Sequence, residues 1–210
     1  MIPAPELQAP CFHAASILVP LAIMCAVLVV AWMAELIKHR SAGERRTMMR
    51  LSLFAQGVDV SAHINMQGFT GCLCIVGMVT QTAPSGARGH SILLTRSAVE
   101  SALPSLLGMA VDYKVGWDGH DARQKCGIIT EAWLEDNKLM VSGYIYRRDF
   151  PEIEEFTTTH DVGMSYEAKN CHVRDIREKV WTLDKVEFTG AAILLREKAA
   201  YNESSFEVHP

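Results

Sequence analysis

The segment from Lys125 to Tyr146 constrains the fold most tightly. Two arms, Lys125 to Leu134 and Lys138 to Tyr146, flank the turn-forming triplet Glu135-Asp136-Asn137, a pattern that predicts a β-hairpin. In the second arm Leu139, Val141, Gly143 and Ile145 alternate with Met140, Ser142, Tyr144 and Tyr146. A period of two is the strand period, and it turns one apolar face toward a core. The edges of such a hairpin need further strands to pair with.

The sequence supplies them. Phe69 to Thr82 is apolar and β-branched, with Gly71 and Gly77 interrupting it, which predicts a bent or bulged strand. Thr80 to Gly89 reads as a loop, Ile92-Leu93-Leu94 as a short buried strand, and Val162 to Ala168 and Val180 to Leu195 as two more strands. Helices are few. Ser97 and Glu100 have capping-box spacing and predict a short helix with Val99, Leu103, Leu106 and Leu107 on its apolar face, kinked at Pro104. Asp149-Phe150-Pro151-Glu152 predicts a second helix start, its Glu152, Glu154 and Glu155 forming a solvated face. Many strands and two or three short helices give an α+β fold around a barrel-like, mostly antiparallel sheet. The aromatic residues Trp117, Trp133, Trp181, Tyr144 and Tyr146 suit core or sheet packing.

With 210 residues, 49% of them apolar and 21% charged, the chain can bury one core and hardly two. The expected organisation is an N-terminal segment over 1–50 and one domain over 51–210. A net charge of −4 leaves no basic footprint for a phosphate backbone, so nucleic acid is not an expected partner. Cys11, Cys25, Cys72, Cys74, Cys126 and Cys171 are irregularly spaced and contain no C-x-x-C pair. That pattern predicts reduced thiols rather than a disulfide framework. Cys72 and Cys74 would share a strand face, but no second pair completes a tetrahedral site, so neither metal nor cofactor is expected.

From Ala14 to Ala34 the chain carries no charge. At about 1.5 Å per residue an apolar helix there reaches across a hydrocarbon core of about 30 Å. Lys38, His39, Arg40, Arg45, Arg46 and Arg50 follow it, with only Glu6 charged before it, a distribution that leaves the domain in the cytoplasm. A signal peptide fits poorly, because no Lys or Arg precedes the run. Two readings stand: a membrane anchor, or sequence upstream of a start near Met48, with residues 41–50 a polar basic linker.

The chemistry lies in Gly119-His120-Asp121 and Gly163-Met164-Ser165-Tyr166-Glu167. Ser165 shares a strand face with Gly163 and Glu167, and Gly163 is expected to leave open space beside the hydroxyl. A serine hydroxyl is a weak nucleophile at neutral pH and needs an imidazole to take its proton. His120 is the candidate.

These motifs, with Cys126-Gly127-Ile128-Ile129, the Leu139 to Ile145 alternation and Val186-Glu187-Phe188-Thr189, occur in an order that resembles the tailed-phage prohead (head maturation) proteases, which are similar in fold to the herpesvirus capsid-maturation proteases. The resemblance spans roughly Leu93 to Tyr201. It implies a serine endopeptidase with Ser165 as nucleophile, His120 as general base and Glu187 as third member, with His160, His172 and Asp184 as alternatives. It also implies phage scaffold and major capsid proteins as substrates, self-cleavage, and action in the host cytoplasm inside an assembling procapsid, with homo-oligomerisation left open. The N-terminal apolar run has no counterpart in that family, and this conflict favours the start near Met48 over inner-membrane anchoring. Two rival readings are a non-catalytic head or scaffold-core protein of the same fold and a membrane-anchored domain of unrelated function.

Overall fold

The computed structural model describes residues 50–52 and 63–209. The chain divides into units 1–47 and 48–210, and the fold is that of the second. The apolar run Ala14–Ala34, the helix expected of it, the linker before Arg50, Cys11 and Cys25 lie outside the described residues.

Among the described residues nine strands form one sheet: β1 (Leu51–Ser52), β2 (Met66–Ile75), β3 (Ser91–Leu94), β4 (Ala110–Tyr113), β5 (Lys125–Glu135), β6 (Lys138–Tyr146), β7 (Val162–Val173), β8 (Val180–Leu195) and β9 (Ser205–Val208). The order is β3-β8-β4-β5-β6-β2-β9, with β1 on β5 and β7 on β8. The sheet curls into a half-barrel. Its pairings are antiparallel except β3 with β8 and β4 with β8.

The central hairpin forms as its alternation requires. Leu139, Val141, Gly143 and Ile145 of β6 are buried and the residues between them are half-exposed. Glu135 pairs with Lys138, so the turn tightens to Asp136-Asn137, with Asp136 at φ 52°. Gly143 is required where the hairpin bulges between Ile129 and Glu131, because a Cβ there would strike the Ile128 carbonyl and lie 3.0 Å from Ile129 Cα. In β2 a register shift between Cys72 and Cys74 inserts Leu73, and all three side chains are buried. Burial pushes the Cys72 thiol up to about 11 and Cys74 well above its usual range, so both remain thiols.

Helix α1 (Arg96–Ala102) does not begin with the expected capping box. Thr95 is the cap instead, its hydroxyl accepting from Ala98 N at 3.3 Å, while Glu100 takes Arg96 Nε at 2.9 Å. The Thr95 hydroxyl also donates to the Leu183 carbonyl of β8 at 3.0 Å, so the same side chain that caps the helix ties it to the sheet. Val99, Leu103 and Leu106 are buried as predicted, and from Leu103 to Leu106, around Pro104, the chain tightens into a 3-10 turn. Helix α2 (Glu152–Thr159) buries Ile153 and exposes its carboxylates, although Glu152 also accepts the Tyr113 hydroxyl. Among the described residues no helix is long and apolar enough to cross a membrane.

Candidate active site

Ser165 is placed by the alternation of β7. Met164 is buried in the core beneath the sheet, so Ser165 and Glu167 rise from the opposite face. Ser165 pairs directly with Ala192 of β8, and Ala192 pairs on its other side with Asp112 of β4. Directly paired residues present their side chains to the same face. Asp112, Ala192 and Ser165 therefore form a row across three strands, about 10 Å from end to end at about 4.8 Å per strand. Asp112 and Ala192 are fully buried.

The open space expected beside Gly163 is occupied. The 3-10 turn Arg196–Lys198 carries the following chain back over β7, and a Cβ on Gly163 would fall onto Ser204 Oγ and 3.4 Å from Arg196 Cα. Glycine is needed there to admit Ser204.

His120 stands on the 114–124 connection between β4 and β5, which is pinned at several points. The Trp117 carbonyl accepts Leu195 N at 2.9 Å, and the Trp117 ring stacks on Tyr113 at 4.6 Å and on Phe156 of α2 at 3.9 Å. Lys114 pairs with Asp118 at 3.0 Å, and Asp121 accepts Gln124 N at its carbonyl and Arg123 at its carboxylate. The loop so held brings His120 Nδ1 to 3.4 Å from Asp112 Oδ1 and 3.8 Å from Glu167 Oε1.

These contacts locate the imidazole. It touches Asp112, at the far end of the row from Ser165, and Glu167, two residues beyond Ser165 on the same face. Its two nitrogens are buried without a hydrogen bond, the 3.4 Å approach to Asp112 being close but without hydrogen-bond alignment. The second Asp112 oxygen accepts Lys125 Nζ at 3.1 Å. Burial pushes the Asp112 carboxyl up, but His120 and Lys125 outweigh it and hold the group below its ordinary value.

The other nominated residues lie elsewhere. Glu187 pairs with Lys169, with its carboxylate 3.1 Å from Lys169 Nζ and accepting Asn170 Nδ2 at 2.7 Å; these bonds hold its pKa down. Glu187 is five residues along β8 from Ala192, about 16 Å at strand rise, and it makes no contact with His120 among the described residues. His172 Nδ1 binds Asp184 at 2.6 Å, and His160 stacks on Phe156 at 4.0 Å. The carboxylates that the fold brings to His120 are Asp112 and Glu167. Asp112 escaped the sequence reading, and its one signal there is a carboxylate inside the short apolar run Met109 to Tyr113.

The described residues hold no group of three His, Cys, Asp or Glu side chains placed for a metal, and their four cysteines are free. Compared with family models, with curated proteins and with solved structures, the chain has no match in any of the three.

Proposed function

We propose that this protein is a serine endopeptidase in which Ser165, His120 and Asp112 act together. Ser165 Oγ attacks the scissile carbonyl while His120 takes its proton. The imidazolium then returns that proton to the leaving amine, and water, activated by the same imidazole, hydrolyses the acyl-enzyme. Asp112 replaces Glu187 as the group that orients the ring and stabilises its positive charge. The observation that carries this reading is the row Asp112, Ala192, Ser165 with His120 in contact with Asp112 and with Glu167 beside the serine.

The family resemblance supports the biological setting: processing of scaffold and major capsid proteins, and of the chain itself, inside an assembling phage procapsid in the host cytoplasm. A fluorophosphonate probe tests the chemistry without a known substrate. The full chain should be labelled at Ser165, as read by peptide mass spectrometry, and Ser165→Ala and His120→Ala should each abolish labelling while leaving the circular dichroism spectrum unchanged. A folded wild-type chain that takes no label would overturn the protease reading and favour the non-catalytic head protein.

A further inference from the structure

The row of paired residues does not stop at Asp112. On β4 and β5, Val111 pairs with Gly127, and simple antiparallel counting would set Asp112 opposite Cys126. A register shift intervenes between Val111 and Asp112, and Asp112 pairs with Lys125 instead. Cys126 is the extra residue, turned into the core with its thiol on the Val111 carbonyl at 3.3 Å. Bulges of this kind re-aim side chains beside functional sites. Here the result is a line across four strands, Lys125 on β5, Asp112 on β4, Ala192 on β8 and Ser165 on β7.

The two oxygens of the buried Asp112 carboxylate are divided between two partners. Oδ2 takes Lys125 Nζ at 3.1 Å, and Oδ1 is left for His120 at 3.4 Å. The Lys125 side chain is 42% exposed, so its ammonium stays solvated at one end while it holds a carboxylate that is 1% exposed. Two effects follow. Asp112 is locked in one rotamer, and part of its negative charge is cancelled before it reaches the imidazole.

Resting on the protease reading above, we infer that Lys125 is a positioning residue of the site: through Asp112 it fixes the orientation of His120, and its charge offsets part of the carboxylate field at the ring. The charged groups facing the ring support this balance. Asp112 comes from β4 and Glu167 from β7, while β8 contributes the uncharged Ala192 and Gly190 to that face. On the ring's own loop Asp118 and Asp121 are engaged by Lys114 and Arg123. Two carboxylates face one imidazole, and Lys125 is the cation paired with one of them.

The test is the titration of His120, followed by NMR of the full chain labelled at histidine, in wild type, Lys125→Gln and Lys125→Arg. Glutamine retains a donor for Asp112 and removes the charge, so the His120 midpoint should rise by about one pH unit, whereas arginine should keep it within about 0.3. The acid limb of the rate of fluorophosphonate labelling should move by the same amount. A residue that merely stabilised the fold would lower the midpoint of thermal unfolding and leave the titration in place. An unmoved His120 midpoint in folded Lys125→Gln overturns the inference. Because the NMR reading needs no catalysis, it stays distinct from failure of the protease reading, which unlabelled wild-type protein would reveal. Should Lys125→Gln fail to fold, Lys125→Met in a background stabilised by salt carries the same expectation, and loss of fold in both overturns a positioning role in favour of a structural one.

Discussion

Replacing Asp112 by Asn keeps the shape of the side chain and removes the charge that His120 faces. At 3.4 Å, with the effective dielectric of about 20 that suits protein sites, a carboxylate stabilises an imidazolium by at most about 5 kcal/mol. Lys125 on the other oxygen already offsets part of that field, and Glu167, half-exposed at 3.8 Å, remains in the variant. A loss of about 3 kcal/mol in the transition state is therefore expected, or about two orders of magnitude in rate. The amide must also set its NH2 against either Lys125 or His120, and when turned toward His120 it disfavours the productive tautomer. Stability should fall less, because Lys125 is 42% exposed and can turn to solvent rather than remain buried without its partner. The assay is the second-order rate of fluorophosphonate labelling of Ser165, with thermal unfolding measured in parallel. Asp112→Asn labelling at the wild-type rate would refute the assignment of Asp112 and return the third position to another carboxylate, with Glu167 next in line by distance.

Two further outcomes separate the candidates. Glu187→Gln should leave both labelling rate and unfolding midpoint close to wild type, since its partners are exposed Lys169 and Asn170; a hundredfold loss of rate would restore Glu187 as the orienting group. The depressed Asp112 carboxyl contributes stability that is fully present above its unfolded value of about 4 and lost as pH falls through the lower folded value. Unfolding midpoints measured from pH 7 down to pH 2.5 should therefore drop less steeply in Asp112→Asn than in wild type, and equal slopes would show that the carboxylate is not held by His120 and Lys125.

What could be read from the chain was what is local. The β6 alternation, the apolar face of α1 and the hairpin turn depend on residues a few positions apart, and each formed where the pattern put it, with small shifts at Thr95 and Asp136. The site depends on register between distant strands. Ser165 and His120 were marked by motifs, but the partner of His120 follows from β8 lying between β4 and β7, and no spacing in the sequence encodes that arrangement. The resemblance points to Glu187, with His160, His172 and Asp184 as alternatives, all later in the chain than His120, whereas the fold brings to that ring a carboxylate from before it, Asp112. The Gly163 reading failed for a related reason: Ser204, which fills the space, arrives from a segment that folds back after β8.

Ala192 bears no functional group, yet the strand that carries it decides when Asp112 and Ser165 come into one row. During synthesis Asp112, His120 and Ser165 all emerge before β8, and until that strand docks nothing sets the serine at a fixed distance from the carboxylate. The parallel pairing of β4 with β8 closes a long stretch of chain, and contacts of such separation form late in folding. The aligned row is thus withheld from the nascent polypeptide by topology alone. A truncation between Val173 and Val180 should therefore yield a chain that carries Asp112, His120 and Ser165 but lacks the strand that aligns them.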